Sequence, residues 1–125
     1  MSTTRLGACA EDMAAAFLRM KGLAVLVRNY RFHRHEIDIV AEAGGRVVFV
    51  EVKYRSGERR GAPREAVRGQ KMRRILSAAR GFLAERGLDE RPVRFDVIEV
   101  RLERGGLAAA IEHIVGAFGA DMRGW

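Results

Sequence analysis

At 125 residues and 14.0 kDa, the chain has room for one domain, residues 1–125, with one modest core. A 48% hydrophobic content argues against disorder, and the single cysteine, Cys9, rules out an internal disulfide. Lys and Arg outnumber Asp and Glu by 23 to 16, a formal +7, which favours a polyanionic partner. No apolar run approaches membrane-spanning length, and MSTTRLGACAEDM carries no signal-peptide pattern, so the expected compartment is the cytoplasm and no membrane partner is expected.

From Thr4 to Gly22 the spacing predicts a helix, with Leu6, Ala10, Met13, Ala14, Phe17 and Leu18 recurring every three or four residues. Gly22 ends it. Glu11 lies beside this apolar stripe, next to Ala14, Ala15 and Leu18, while Asp12 faces solvent. Taken alone, Glu11 is a boundary residue. Leu23 to Phe32 alternates loosely and reads as a strand. His35 to Arg55 reads as two further strands joined by Gly44-Gly45. Ser56 to Ala62 is a basic loop. Pro63 then suits the first turn of a helix running to Arg86, its stripe being Val67, Ile75, Leu76, Ala79, Phe82 and Leu83. Lys71 interrupts that stripe, with Gln70 beside it. Val93 to Val100 alternates as another strand. From Leu107 to Phe118 two readings stand: a strand through Ile111, His113 and Val115, or a short helix over Ala108 to Ile114. The expected fold class is α/β, a small mixed sheet with helices packed on its faces, in the order α-β-β-β-α-β plus one last element.

Within the hairpin, ionisable residues stand where a core strand would carry aliphatic ones. Alternation predicts Glu36 and Asp38 on one face of their strand and Ile37 and Ile39 on the other. In the next strand Glu51 and Lys53 share a face opposite Val50 and Val52. Pairing would bring Asp38, Glu51 and Lys53 into one small volume. Two carboxylates and an amine in an apolar sheet are costly unless paired or bound to a cation. That composition suits a magnesium-dependent phosphodiesterase. Asp38 precedes Glu51 by 13 residues, which gives the D-(x)n-[DE]-x-K pattern of restriction-endonuclease-like nucleases. A lone E-x-K is more often a Glu–Lys salt bridge at a strand end.

The positive charge is concentrated beside this motif. Lys53 to Arg74 holds nine basic residues, including Arg55, Arg59, Arg60, Arg64 and Lys71, against Glu58 and Glu65; that is +7, the excess of the whole chain. Nucleic acid is the natural partner for such a segment. A merely solvated helix face is the plainer alternative.

The order of elements and motifs resembles a bacterial family known as UPF0102 or YraN-like, over nearly the whole chain. The resemblance is carried by Gly7 through Glu11 to Ala14, Arg28-Asn29-Tyr30-Arg31, Glu36-Ile37-Asp38-Ile39-Val40 and Val48 through Arg55. It continues in Gly61-x-Pro63-x-Glu65-Ala66-Val67, Lys71, Arg94-Phe95-Asp96-Val97 and Ile114-x-x-Ala117-Phe118. It implies a restriction-endonuclease-like fold, similar to archaeal Holliday-junction resolvases. His35 departs from the family's usual glycine, and would strain the chain there if that position required a left-handed backbone.

The resemblance also implies that Glu11, from the first helix, joins Asp38 and Glu51 as a metal ligand and catalytic residue. On this reading Mg²⁺, with Mn²⁺ as substitute, is held by those carboxylates and the Val52 carbonyl. Lys53 neutralises the phosphate and orients the attacking water. Glu36 and Gln70 support the site. Arg55, Arg59, Arg60, Arg64 and Lys71 hold the substrate backbone, DNA in preference to RNA, without reading sequence. A resolvase role would require a homodimer with twofold symmetry. Two other readings compete: a noncatalytic nucleic-acid-binding module, and a structural protein with a buried ion-pair cluster.

Overall fold

A computed structural model describes residues 3–56, 69–102 and 108–118. The elements are α1 (Thr3–Met20), β1 (Ala24–Phe32), β2 (His35–Ala43), β3 (Arg46–Ser56), α2 (Gly69–Arg86), β4 (Val93–Leu102) and β5 (Ala108–Phe118). The strands form one five-stranded sheet in sequence order. β3 and β4 run parallel, with α2 in the connection between them; the other three neighbouring pairs are antiparallel. The sheet is therefore mixed, as expected. The last element is the strand, not the short helix: Ala108–Phe118 pairs along β4 through Ile98↔His113 and Val100↔Ile111.

Both helices end as their glycines dictate. Leu23 N–H donates to Leu18 C=O at 3.0 Å around Gly22, whose φ is +94°. Leu88 N–H donates to Leu83 C=O at 2.8 Å around Gly87, at φ +66°. These six-to-one bonds satisfy carbonyls that a helix end leaves unpaired, and the left-handed residue they need is easiest for glycine. Gly44 and Gly45, at φ +58° and +82°, join β2 to β3 in the two-residue turn whose twist matches antiparallel strands. At its N-terminus α2 begins at Gly69; the start expected at Pro63 lies outside the described residues.

Each helix covers one face. Ala10, Ala14, Ala15 and Leu18 of α1 pack on Ile39, Ala41, Val48, Val50, Ile98, Val100 and Leu102. Small residues on the helix let it approach β3 and β4 closely. On the other face Ile75, Leu76, Ala79, Phe82 and Leu83 of α2 meet Ile37, Val40, Val47, Phe49, Phe95 and Val97. Phe49 stacks on Phe95 at 5.3 Å and meets Phe82 edge-on at 5.9 Å. Val48, Phe49 and Val50 are all core, at most 1% exposed. Gly81 is the close approach: a Cβ there would sit 2.3 Å from the Phe32 ring, so the absent side chain seats β1 on α2.

Candidate carboxylate site

The site forms where the regular alternation of two strands breaks. In β1, Val25 packs on the α1 side, but Val27 and Tyr30 both pack on the α2 side. In β2, Ile39 and Ala41 face α1, while Ile37 and Val40 face α2. Residues three apart share a face only if the pleat is interrupted between them. Asn29, at φ +53°, supplies the interruption; it lies between the pairs Arg28↔Ile39 and Tyr30↔Ile37, across from Asp38. The expected common face for Ile37 and Ile39, with Glu36 and Asp38 together opposite, is thus corrected. Asn29 carries no sequence signal of this role beyond its residue type, which tolerates left-handed backbone better than most.

At the same point β2 and β3 part. Their ladder ends at Ile39↔Val50, one residue short of Asp38 and Glu51. Asp38 reaches across the gap instead, and Val52 N–H donates to its Oδ2 at 2.7 Å. Glu51 stands beside Asp38, close enough for its charge to act on the Asp38 carboxyl. Two carboxyl groups in such contact cannot both be ionised cheaply. Burial, then the Glu51 charge, push the Asp38 pKa up to about 8 against the opposing Val52 hydrogen bond. Near neutral pH Asp38 therefore keeps a proton. Glu51, its side chain 8% exposed, forms its ion pair with Lys71 of α2. A Glu–Lys bridge does exist, but its lysine comes from the helix and not from the E-x-K strand.

Glu11 stands on α1 near enough for its charge to raise Asp38 further. Burial raises the Glu11 pKa in turn, opposed by Arg28 and by a hydrogen bond with Asn29. Arg28 Nη2 lies 3.9 Å from Glu11 Oε1 but 2.7 Å from Asp12, so its stronger contact is the more exposed acid. Asn29 and Arg28 were thus missed as site residues, although both belong to the Arg28–Arg31 motif.

Lys53 follows Glu51 by two residues on the same strand face, and has no ion-pair partner among the described residues. Its β4 neighbour in register is Glu99. Glu99 is turned elsewhere: it binds Arg55 at 2.7 Å and Arg101 at 3.4 Å, and is 3% exposed. Arg55, 14% exposed, is therefore engaged inside the sheet. Glu36 pairs with Arg31 at 3.5 Å near the hairpin tip. Gln70 is exposed in the first turn of α2. Arg59, Arg60 and Arg64 lie outside the described residues. His35 is not among the residues with positive φ; His33, in the turn, takes that role at +59°, so the expected strain at His35 is absent.

The donor set fits a hard divalent cation of modest coordination. Magnesium commonly takes one or two carboxylates and fills its remaining positions with water. Asp38 and Glu51 offer such a pair, and a cation would relieve the repulsion that now requires a proton. Among the described residues, no group of three His, Cys, Asp or Glu side chains is arranged to hold a metal. Glu11 would accordingly reach a cation through water.

A second polar cluster lies on the α1 face, where His113 meets Phe17 and Lys21, and it was legible only as part of the Arg94–Val97 motif. Asp96 is fully buried. Arg94 donates to it twice, at 2.9 and 3.0 Å, Gly116 N–H at 2.9 Å, and His113 Nε2 lies at 2.8 Å. Lys21 Nζ contacts His113 Nδ1 at 2.7 Å. An ammonium can only donate, so Nδ1 accepts and Nε2–H points at Asp96. Burial alone would raise the Asp96 pKa, but the His113, Arg94 and Gly116 hydrogen bonds together outweigh it and hold the carboxyl below its ordinary value.

Fold and site together define a mixed α/β protein with two neighbouring acids at the split between two strands of its sheet. The model of the uncharacterised protein family UPF0102 matches residues 10–100, and the chain belongs to that family. A UPF0102 protein of Syntrophotalea carbinolica is 50% identical over 120 residues, covering 96% of this chain and 94% of the relative. One from Desulforapulum autotrophicum is 50% identical over 117 residues, with 94% and 95% covered. One from Moorella thermoacetica is 45% identical over 118 residues, with 94% and 98% covered. No described helix is long and apolar enough to cross a membrane.

Proposed function

We propose that this chain is a single-domain, cytoplasmic, metal-dependent nuclease of restriction-endonuclease-like fold, hydrolysing phosphodiester bonds of DNA in preference to RNA. The observation that carries the reading is the placing of Asp38 beside Glu51 at the strand split, with Lys53 two residues further along β3 and in no ion pair among the described residues. A stable sheet gains nothing by burying two acids against each other. A site that must hold a divalent cation gains its ligands. Asp38 and Glu51 would hold the ion, with Glu11 acting through water. The Val52 carbonyl lies on the strand edge where Val52 N–H meets Asp38, since a strand residue presents both groups to the same side. Magnesium, or manganese in its place, would supply charge for the phosphate and a more acidic water.

The remaining chemistry belongs to side chains. Lys53, in no ion pair among the described residues, would neutralise charge on the attacked phosphate and orient water. Lys71, Arg59, Arg60 and Arg64 would contact flanking phosphates, so affinity should fall steeply with salt. Such contacts carry no base recognition, which favours structure-selective or nonspecific cutting. Cleavage of a four-way junction would further require a homodimer.

The test is cleavage of labelled junction, flap, duplex, single strand and structured RNA with magnesium or manganese, beside Glu51→Gln prepared identically. Metal-dependent cutting lost in the variant is expected. A second reading, a noncatalytic nucleic-acid-binding module, draws support from the Glu51–Lys71 pair and the lack of a three-ligand cluster among the described residues. It predicts DNA binding indifferent to metal and to Glu51→Gln, with no cutting by either protein.

A further inference from the structure

Each acid of the site already has a counterpart within the chain: Val52 N–H donates to Asp38, Glu11 has Arg28 beside it, and Glu51 has Lys71. The lysine expected to sit with Glu51 from the motif alone, Lys53, is not the one that neutralises it. We infer that Lys71 is an exchangeable counter-cation, which holds Glu51 while no divalent ion is bound and releases it when one is. The inference rests on the metal-dependent reading of this site.

The geometry favours exchange over a permanent bridge. Glu51 is fixed on a central strand and its side chain is 8% exposed, whereas Lys71 is 43% exposed in the first turn of α2. A lysine ammonium on a four-carbon stem turns out to water at small cost, because its charge is easily rehydrated there. Glu51 has no such alternative: losing every cation would strand a buried charge. One fixed acid with one mobile base is an arrangement in which the base can be replaced. Arg55 with Glu99 is the contrast, since both side chains are largely buried, at 14% and 4% exposed, and Arg55 has no comparable route to water. Once released, the Lys71 ammonium would remain within its stem's reach of a phosphate bound at the ion, whose negative charge it could meet. One residue would thus keep the empty site neutral and help fill the occupied one.

The experiment is calorimetric titration with Mn²⁺ alone, at pH 8.5, of the whole wild-type chain, Lys71→Met, Lys71→Gln and Glu51→Gln. Two Lys71 variants are used so that one poorly folded preparation does not decide the matter. Removing the competing cation should tighten Mn²⁺ binding roughly tenfold or more, the order expected for deleting one charge a few ångströms away at a protein-like dielectric. Glu51→Gln should bind weakly or not at all. If wild type binds and folded Lys71 variants bind equally or more weakly, the exchange is refuted while the nuclease reading stands. If no protein binds, both fall.

Discussion

Asp38→Asn offers the sharpest test of the carboxyl pair, because asparagine copies the protonated acid. Its Oδ1 can accept from Val52 N–H and its Nδ2 can donate to Glu51. In the wild type, Asp38 has a folded pKa of about 8, far above its ordinary value near 3.9. The folded state therefore binds the extra proton between those values. Stability from this group falls as pH rises, at most about 1.4 kcal/mol per unit, and the fall stops above the folded pKa. Between pH 5 and 8 the loss approaches about 4 kcal/mol, a large share of a typical folding free energy. Asparagine has no proton to lose. Urea denaturation of both proteins at half-unit steps from pH 5 to 9, in chelator, reads the difference directly. The variant should gain on the wild type as pH rises, and the gap should level off near pH 8. Parallel curves would refute the assignment of a shared proton, and a variant that loses ground at high pH would reverse its sign.

Other consequences are more local. Asp96→Ala leaves Arg94, His113 and Gly116 N–H without their acceptor and should cost about 3–5 kcal/mol by urea denaturation; a cost below about 1 kcal/mol would mean these bonds reform to water. Because its folded pKa is lowered, the Asp96 contribution is fully present above the unfolded value near 3.9 and disappears as pH falls through the folded one. Gly81→Ala should lower the melting temperature despite better helix propensity, since displacing the Phe32 ring costs about 1–3 kcal/mol. A higher melting temperature would show that the ring yields freely. Arg55→Met should destabilise the protein by about 1–3 kcal/mol, Arg101 remaining to Glu99 as a partial substitute. Unchanged stability with lost DNA affinity would instead make Arg55 a phosphate contact.

The fold was legible where one local rule decided the outcome. Gly22 and Gly87 ended their helices, Gly44-Gly45 made the tight hairpin, and the α1 stripe found the sheet. The Leu107–Phe118 segment satisfied both periods, so only pairing along β4 could settle it. The site was half legible. Asp38 and Glu51 were visible because acids are out of place in apolar strands, and the hairpin sets them on neighbouring strands, one residue beyond the ladder's end. Their environment was not. The face flip at Asn29 depends on one backbone angle, and the Lys71 ion pair depends on how α2 crosses the sheet; neither has a period to reveal it. Nothing local to Asp96 reveals its burial, which depends on partners as distant as Gly116, twenty positions later, whose N–H donates to it.

The bond from Val52 N–H to Asp38 also gives the protein a built-in reporter. Neighbouring ladder amides answer to carbonyls, whose charge never changes. This one answers to a carboxyl that gains or loses a proton and would lose it to a metal. Its nitrogen and proton chemical shifts should follow the occupancy of the site without any label or substrate. A single cross-peak would then distinguish the empty, protonated and ion-loaded forms, and rank ligands by the form each one selects.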